Sequence, residues 1–125
     1  MTVRRILIVD DEERIREVVR MCLIKVAKWD VCIASCGQDA IAIAAIEQPD
    51  AILLDVSMPG INGIETLQQL QQNPKTTGIP AIFLTAKTQR AERLYYQQIG
   101  VAGLIVKPFD PLQISNEICQ ILKCD

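Results

Sequence analysis

The sequence predicts an α/β protein in which a parallel sheet is covered by helices on both faces, giving three layers. One observation is a recurring short apolar run, at residues 6–9, 51–54, 81–84 and 104–106, each followed by a polar residue. The other is the helical spacing of apolar residues in the segments between those runs. Strands that alternate with helices pair in parallel, and strands buried on both faces are apolar throughout.

The first half of the chain predicts three strands and two helices. Acidic residues after the first strand suit a helix start, because negative charge is favourable at the N-terminal end of the helix dipole. The elements are a strand at 4–9, a helix opened by residues 10–13, a strand at 31–34, a helix at 39–47 and a strand at 51–54. The inward stripe of the first helix follows the spacing of an amphipathic helix and consists of Ile15, Val18, Val19, Cys22, Leu23 and Val26.

The second half of the chain continues the alternation. A loop rich in turn-forming residues, 56–63, leads to a helix at 64–72, a strand at 81–84, a helix at 88–98 and a strand at 104–106. The helix at 88–98 is weakly amphipathic, and we expect Ala91, Leu94, Tyr95 and Ile99 inside, with Arg90, Arg93 and Tyr96 outside. Asp110 and Pro111 then provide a cap and a first helical residue for the last helix.

Length and composition describe one ordinary globular domain. Of the 125 residues, 50% are hydrophobic and 22% are charged. The formal net charge is −2 and there is no basic run, so we expect no nucleic-acid partner. No apolar stretch approaches the roughly 20 residues of a membrane span, and no signal peptide is evident. We therefore expect a cytoplasmic single domain over residues 1–125, with no output domain in the chain and no membrane partner.

The chain contains 5 cysteines and no histidine. A zinc site of mixed cysteine and histidine ligands is excluded, and the cysteines lack the paired C-x-x-C spacing of an all-cysteine site. We expect most of them to be small core residues in a reducing compartment. Cys124, next to the C-terminus, is the one for which exposure and a redox role stay open.

Polar residues follow four of the predicted strands at the point where each strand ends. Asp10 and Asp11 follow the first strand, Asp55 the third, Thr85 the fourth and Lys107 the fifth. Parallel sheets bind ligands at their carboxyl edge, so we expect these side chains to share one pocket.

The predicted pocket holds about three negative charges and one positive charge. Oxygen ligands without cysteine or histidine favour Mg²⁺, which usually binds one or two carboxylates together with a phosphate. A carboxylate such as Asp55 can accept a phosphoryl group. The Thr85 hydroxyl and the Lys107 ammonium could then neutralise oxygens of the transferred group.

The motifs at these strand ends resemble those of the receiver domains of two-component response regulators, in the CheY-like superfamily. In chain order they are Val9-Asp10-Asp11, Leu54-Asp55-Val56-Ser57-Met58-Pro59-Gly60 with Gly63, Thr85-Ala86 and Lys107-Pro108-Phe109. Together they are highly specific, and they span essentially the whole chain. The resemblance implies a (βα)5 flavodoxin-like fold, a doubly wound sheet of five parallel strands in the order 2-1-3-4-5.

The same resemblance implies a role for each strand-end residue. Asp55 resembles the phospho-acceptor, Thr85 the switch hydroxyl and Lys107 the lysine that pairs with the phosphoryl group. Pro108 stands where the family often has a cis peptide bond.

For the metal, the resemblance implies four contributors around one Mg²⁺. Asp11 resembles the direct ligand, and Asp10 supports the ion through water. Asp55 and the backbone carbonyl of Ser57 complete the set.

By resemblance the chain is a phospho-accepting signalling domain rather than a metabolic enzyme, although it would assist its own Mg²⁺-dependent phosphorylation and slow dephosphorylation. Its partners would be a sensor histidine kinase or a histidine phosphotransfer protein, and a downstream protein target.

One position departs from the family pattern, and another lies where receivers adjust the rate of dephosphorylation. Leu104 stands where receivers often have an aromatic switch residue, and Lys87 lies where receivers tune dephosphorylation.

Three alternative functions have different sequence requirements. A phosphatase with an aspartyl-phosphate intermediate usually needs a second acid two residues after the nucleophile, where this chain has Ser57. A flavin-binding electron carrier would need a phosphate loop where this chain has the acidic residues 10–13. A degenerate receiver that binds partners without phosphorylation stays the alternative, because of Leu104.

Two surfaces have open interpretations. The basic side of the first helix is either solvated or a kinase-docking site, and consists of Arg14, Arg16, Arg20 and Lys25. Tyr95 and Tyr96 are either one core ring and one exposed ring, or part of a partner-binding surface formed by the fourth helix, fifth strand and fifth helix.

Overall fold

A computed structural model describes residues 2–86 and 89–124 of the chain, and the statements below concern that part. Its strands are β1 (Arg5–Val9), β2 (Asp30–Ala34), β3 (Ala51–Asp55), β4 (Ala81–Thr85) and β5 (Gly103–Val106). Its α-helices are α1 (Glu13–Cys22), α2 (Gly37–Glu47), α3 (Gly63–Gln72), α4 (Arg90–Gln98) and α5 (Ile114–Leu122). A π-helix (Leu23–Ala27) extends α1, and a 3-10 turn (Pro111–Gln113) precedes α5.

The described strands form one sheet, in the order β2-β1-β3-β4-β5, and every pair is parallel. This confirms the predicted (βα)5 fold and its strand order. The register pairs Val9 with Leu54 and Asp55 with Leu84. The carboxyl ends of neighbouring strands therefore finish side by side, and the residues after them meet at one edge.

Alternation along the strands divides the interior into two cores. One face of the sheet packs against α1 and α5, through Ile6, Ile8, Leu53, Ile82, Ile105, Val19, Leu23, Ile114 and Ile118. The other face packs against α2, α3 and α4, through Leu7, Val9, Leu54, Phe83, Ala40, Ala44, Leu67, Leu70 and Tyr96. Both faces of the sheet are covered, which explains why its central strands are apolar throughout. Within the part that the structure describes, no helix has the length and apolar character to cross a bilayer.

The start of α3 is fixed by a capping box and a close backbone approach. The Asn62 side chain accepts a hydrogen bond from the Glu65 backbone N–H at 2.9 Å, and the Glu65 carboxylate accepts one from the Asn62 N–H at 3.0 Å. Gly63 donates its N–H to the Val56 carbonyl at 2.9 Å. A Cβ at position 63 would lie 2.7 Å from the Asp55 carbonyl oxygen, so glycine allows α3 to begin directly against the end of β3.

The inward stripe predicted for the first helix is correct only in part. Val19 and Leu23 are buried, and Ile15 packs against the same core, but Val18 is 44% exposed and Val26 is 54% exposed. The residues after Cys22 form the π-helix, which has more residues per turn than an α-helix. The wider turn changes the phase of the side chains, so an inward stripe extrapolated with α-helical spacing is wrong at Val26.

The predicted inner face of the fourth helix is correct for Ile99, which packs against the core, but wrong for Ala91, Leu94, Tyr95 and Tyr96. Tyr96 is 3% exposed and lies in the core, whereas Leu94 and Tyr95 are 48% and 44% exposed. The Tyr96 ring packs edge-on against Phe83, with 5.1 Å between ring centroids and 80° between their planes. This contact with the sheet sets the rotation of α4. Residues 87 and 88, which include Lys87 and the predicted start of this helix, lie outside the described residues.

Candidate functional site

The strand ends bring Asp10, Asp55, Thr85 and Lys107 to one edge of the sheet. Asp10 is fully buried, Asp55 and Thr85 are buried, and the Lys107 side chain is 24% exposed. Asp11, next to Asp10, is exposed. Carboxylate oxygens of the three aspartates lie within 4.8 Å of one another. The site is therefore an acidic cluster beneath one lysine, open to solvent on the side of Asp11.

The backbone around Asp10 holds its carboxylate in place. Its Oδ1 accepts a hydrogen bond from the Glu12 N–H at 2.8 Å, and the Arg16 guanidinium donates to the Asp10 carbonyl oxygen at 2.8 Å. Arg16, predicted on the outer side of the first helix, thus also ties that helix to the end of β1. Burial raises the pKa of Asp10; the Glu12 hydrogen bond lowers it, and the charge of Asp55 raises it again.

The second carboxylate oxygen of Asp10 lacks a hydrogen-bond partner among the described residues. Oδ2 is buried and has no hydrogen bond from any of the described groups. The cation facing it is the Lys107 ammonium, at 3.7 Å. A buried carboxylate oxygen without a partner is costly, so this atom is available for a ligand that supplies positive charge.

Asp55 and Lys107 form a direct charge-assisted hydrogen bond. Lys107 Nζ donates to Asp55 Oδ1 at 3.0 Å. Burial raises the pKa of Asp55, and the Lys107 hydrogen bond and charge partly offset that rise. The backbone N–H of Ser57 also donates to this carboxylate and lowers its pKa. Burial lowers the pKa of Lys107, but the hydrogen bond and charge of Asp55 outweigh it, so the lysine stays protonated at neutral pH.

Backbone hydrogen bonds fix the positions of Thr85 and Lys107 relative to Asp55. The Lys107 N–H donates to the Thr85 carbonyl oxygen at 3.0 Å, and the Val56 N–H donates to the Leu84 carbonyl oxygen at 3.2 Å. The ends of β3, β4 and β5 are thus joined directly beside the acidic cluster. The peptide bond between Lys107 and Pro108 is cis, as the resemblance implied.

The donor set fits a hard divalent cation. Its side-chain donors are carboxylate oxygens, and among the described residues their negative charge exceeds the positive charge of Lys107. The unpartnered Oδ2 of Asp10 points to the same conclusion, since a cation would satisfy it. Small divalent cations with oxygen ligands match this chemistry.

An apolar groove beside Lys107 was not predicted from the sequence. It has a volume of about 500 Å³ and is lined by Arg14, Ile15, Val18, Ala86, Lys107, Pro108, Phe109 and Pro111. It brings residues of α1 next to the loop after β5, which sequence spacing alone does not reveal. The exposure of Val18, assigned to the core by its spacing, is explained by its place in this groove.

Leu104 lies on β5, partly buried against the core between the sheet and α4. Together with Arg93 and Tyr96 it lines a cavity of about 210 Å³. The position where receivers often have an aromatic residue is thus filled by an aliphatic side chain near the buried ring of Tyr96.

Comparison with known proteins identifies a single family over most of the chain. Residues 6–119 match the response regulator receiver domain. The phosphate regulon transcriptional regulatory protein PhoB of Pseudomonas aeruginosa is 36% identical over 123 residues, which cover 98% of this chain and 53% of that protein. The chain spans about half the length of several such relatives. Protein PilH of the same organism is 33% identical, and the match covers 94% of this chain and 97% of PilH.

Solved structures give the same result. The chemotaxis response regulator CheY4 of Vibrio cholerae superposes with a TM-score of 0.87 at 29% identity, covering 96% of this chain and 99% of CheY4. The response regulator domain of Thermotoga maritima CheB superposes with a TM-score of 0.82 at 25% identity, covering 98% of each chain.

Proposed function

The chain belongs to the response regulator receiver domain family, and on that premise we propose that Asp55 accepts a phosphoryl group with the help of Mg²⁺. The donor is a phosphohistidine on a sensor histidine kinase or on a histidine phosphotransfer protein. The observation that carries the proposal is the Asp55 carboxylate, held by Lys107 at 3.0 Å beside the unpartnered Oδ2 of Asp10. A nucleophile, a fixed cation and a buried carboxylate oxygen without a hydrogen bond thus occur together.

In the proposed reaction, a carboxylate oxygen of Asp55 attacks phosphorus, the O–P bond forms and the P–N bond of the phosphohistidine breaks. Little covalent chemistry is required of the protein, since positioning and charge neutralisation dominate phosphoryl transfer. Lys107, protonated and only partly exposed, pairs with one phosphoryl oxygen. The Thr85 hydroxyl, buried at the end of β4, binds another.

The carboxylates of Asp10, Asp11 and Asp55 and the backbone carbonyl of Ser57 would hold the Mg²⁺. When bound, the ion supplies positive charge to the phosphoryl oxygens and removes the repulsion among the carboxylates. The mutual approach of the three carboxylates, within 4.8 Å, supports this assignment. Of the three carboxylates, that of Asp10 is the most buried, so a bound cation would stabilise its charge the most.

The groove beside Lys107 suits the phosphodonor protein. It adjoins the reacting lysine and is mainly apolar, with Arg14 at its rim. A partner that seats an apolar helix face there would bring its phosphohistidine to the edge where Asp55 lies. In this proposal the kinase docks on the side of α1 that faces the loop after β5, and Phe109 and Val18 are the groove residues to test.

Output would follow from a shift between two conformations of the domain. Binding of the phosphoryl group by Thr85 favours one of them, and a difference of a few kcal/mol is sufficient. Apolar side chains on α4, β5 and the turn before α5 are exposed and suit a downstream protein target: Leu94, Tyr95, Val106 and Leu112. A single receiver domain over residues 1–125, acting through protein contacts and without a nucleic-acid partner, remains our proposal for this chain.

The test is incubation with acetyl phosphate and Mg²⁺, followed by intact mass measurement. The wild type should gain the mass of one phosphoryl group, and the gain should require Mg²⁺. Asp55→Asn should show none, whereas Asp39→Asn, an exposed aspartate in the first turn of α2, should behave like the wild type. A gain that persists in Asp55→Asn would mean a different acceptor. If neither acetyl phosphate nor a phosphorylated kinase modifies the protein, it acts as a phosphorylation-independent binding module.

A further inference from the structure

Two cysteines lie together at the end of α5, away from the acidic site. Cys119 is in the last turn of the helix, and Cys124 follows its end. Both side chains are partly buried, and both are free thiols. Neither belongs to a motif that the proposed phosphoryl chemistry uses.

The helix ending brings the two backbones close to each other. Lys123 adopts the left-handed conformation, with φ of 57° and ψ of 49°, and turns the chain back over the helix. The Cys124 N–H then donates to the Cys119 carbonyl oxygen at 3.0 Å. Standard bond lengths confine the two Cα atoms to a separation of at most about 7 Å. A disulfide requires Cα atoms closer than about 7 Å, so the backbone permits one here.

The two side chains are also neighbours. Burial, together with the adjacent Cys124 thiol, raises the pKa of Cys119 to about 11. They open onto a cavity of about 450 Å³, which Gln113, Asn116, Gln120 and Lys123 also line. A small oxidant can therefore reach the pair from solvent. Cys32 contrasts with this arrangement, because it donates its S–H to the Ile6 carbonyl oxygen at 3.7 Å.

We propose that Cys119 and Cys124 are a modification site, at which a peroxide converts the two thiols to an intramolecular disulfide. The Cys124 thiolate attacks one oxygen of hydrogen peroxide, the O–O bond breaks, and the hydroxide that leaves is protonated to water. Cys119 sulfur then attacks the resulting sulfenic acid at Cys124, forming the S–S bond and releasing a second water with the Cys119 proton. The two thiols lose two electrons in total, and the peroxide gains them.

The order of the two steps follows from the surroundings of each thiol. Cys119 stays protonated at neutral pH because its pKa is raised, so it is the poorer first nucleophile. Cys124 lies beyond the helix, and Cys119 is positioned to resolve its sulfenic acid before further oxidation. A thiol reductant reverses the product. The proposal is independent of phosphorylation at Asp55.

The sequence offers a direct readout of the disulfide. Trypsin cuts after Lys123, so residues 124–125 leave as a dipeptide from the reduced protein. In the oxidised protein that dipeptide stays attached to the tryptic peptide 94–123, because Pro108 blocks cleavage after Lys107. The experiment treats the full chain with hydrogen peroxide, alkylates the remaining thiols under denaturing conditions, digests without reductant and measures peptide masses.

The expected result is the linked peptide in the wild type and in Cys22→Ser, and its loss in Cys119→Ser, in Cys124→Ser and after reduction. In Cys119→Ser, Cys124 should instead advance to the sulfinic acid, because its resolving partner is missing. Three outcomes would overturn the proposal: a disulfide between other cysteines or between two chains, overoxidised Cys124 in the wild type with no linked peptide, or unmodified Cys119 and Cys124 while other thiols react.

Discussion

Replacing Asp10 by asparagine should stabilise the metal-free protein, although Asp10 is fully buried. Asparagine has nearly the same shape, and its side-chain oxygen can keep the hydrogen bond from the Glu12 N–H. The substitution therefore removes a charge with little change in packing. The acidic cluster destabilises the fold until a cation binds to it, so function rather than stability explains its charge.

The expected change in unfolding free energy follows from the distances around Asp10. Two carboxylates lie within 4.8 Å of its oxygens, and at an effective dielectric constant near 20 each pair of unit charges repels by about 3.5 kcal/mol. The Lys107 ammonium at 3.7 Å attracts by about 4.5 kcal/mol on the same scale. Two repulsions thus exceed one attraction. Water screens the exposed Asp11, so we expect Asp10→Asn to raise the unfolding free energy by about 2 kcal/mol, or the melting temperature by roughly 6–10 °C.

The stability difference between Asp10→Asn and the wild type depends on pH. Burial raises the pKa of Asp10 above its value in the unfolded chain. Below the unfolded value of about 3.9, Asp10 is protonated in both states and the substitution should have no effect. As pH rises through the higher folded pKa, the native wild type must carry the buried charge and loses stability relative to Asp10→Asn. The advantage of the variant should therefore grow with rising pH and level off near neutrality.

The assay is urea unfolding in EDTA, followed by the fluorescence of the single tryptophan, and repeated with Mg²⁺. At Mg²⁺ concentrations ten times the dissociation constant, the wild type should gain about 1.4 kcal/mol, and Asp10→Asn much less. Asp50→Asn is the matched control. Its Oδ2 accepts hydrogen bonds from the Arg4 and Arg5 backbone N–H groups at 2.7 and 2.9 Å. Asparagine would weaken these bonds by removing the charge of the acceptor, so the substitution should destabilise the protein. An Asp10→Asn protein that is less stable than the wild type in EDTA, or that Mg²⁺ stabilises equally, would contradict a destabilising charge at Asp10.

Two further predictions concern the scaffold of the site. Gly63→Ala should lower the unfolding free energy by about 1–3 kcal/mol, because its Cβ would lie 2.7 Å from the Asp55 carbonyl oxygen. A Cβ at Gly78 would meet no atom within 4 Å, so Gly78→Ala should be near neutral in the same urea unfolding measurement. Tyr96→Ala should lower the unfolding free energy by about 3–5 kcal/mol and Tyr95→Ala by less than about 1 kcal/mol. The reason is that, of these two rings, that of Tyr96 is the one in the core. Equal losses of unfolding free energy within either pair of variants would contradict the close packing of Gly63 or the burial of Tyr96.

The strands could be predicted because each of them has a local sequence signal, whereas their order in the sheet was implied by the resemblance to receiver domains. A buried parallel strand is a short apolar run, and Asp55 and Lys107 stand where such runs end. Parallel pairing then brings all of the carboxyl ends to one edge of the sheet, so the acidic cluster follows from the residues that come directly after the strands. Neither step depends on the details of side-chain packing.

Features that depend on packing between distant segments could not be predicted. Tyr95 and Tyr96 are adjacent and chemically alike, and only the contact of Tyr96 with Phe83 decides which ring is buried. The π-helix after Cys22 has no sequence signal comparable to a capping residue. The groove beside Lys107 likewise requires α1 and the loop after β5 to be placed next to each other.

Chemical trapping identifies the residue that carries the phosphoryl group. After reaction with acetyl phosphate and Mg²⁺, sodium borohydride reduces an acyl phosphate to an alcohol, so a phosphorylated aspartate becomes homoserine. Peptide sequencing by mass spectrometry then identifies the modified position. We predict homoserine at position 55, dependent on both the phosphodonor and Mg²⁺. Homoserine at position 10 or 11, or at no position in a protein that has gained phosphate, would contradict Asp55 as the acceptor.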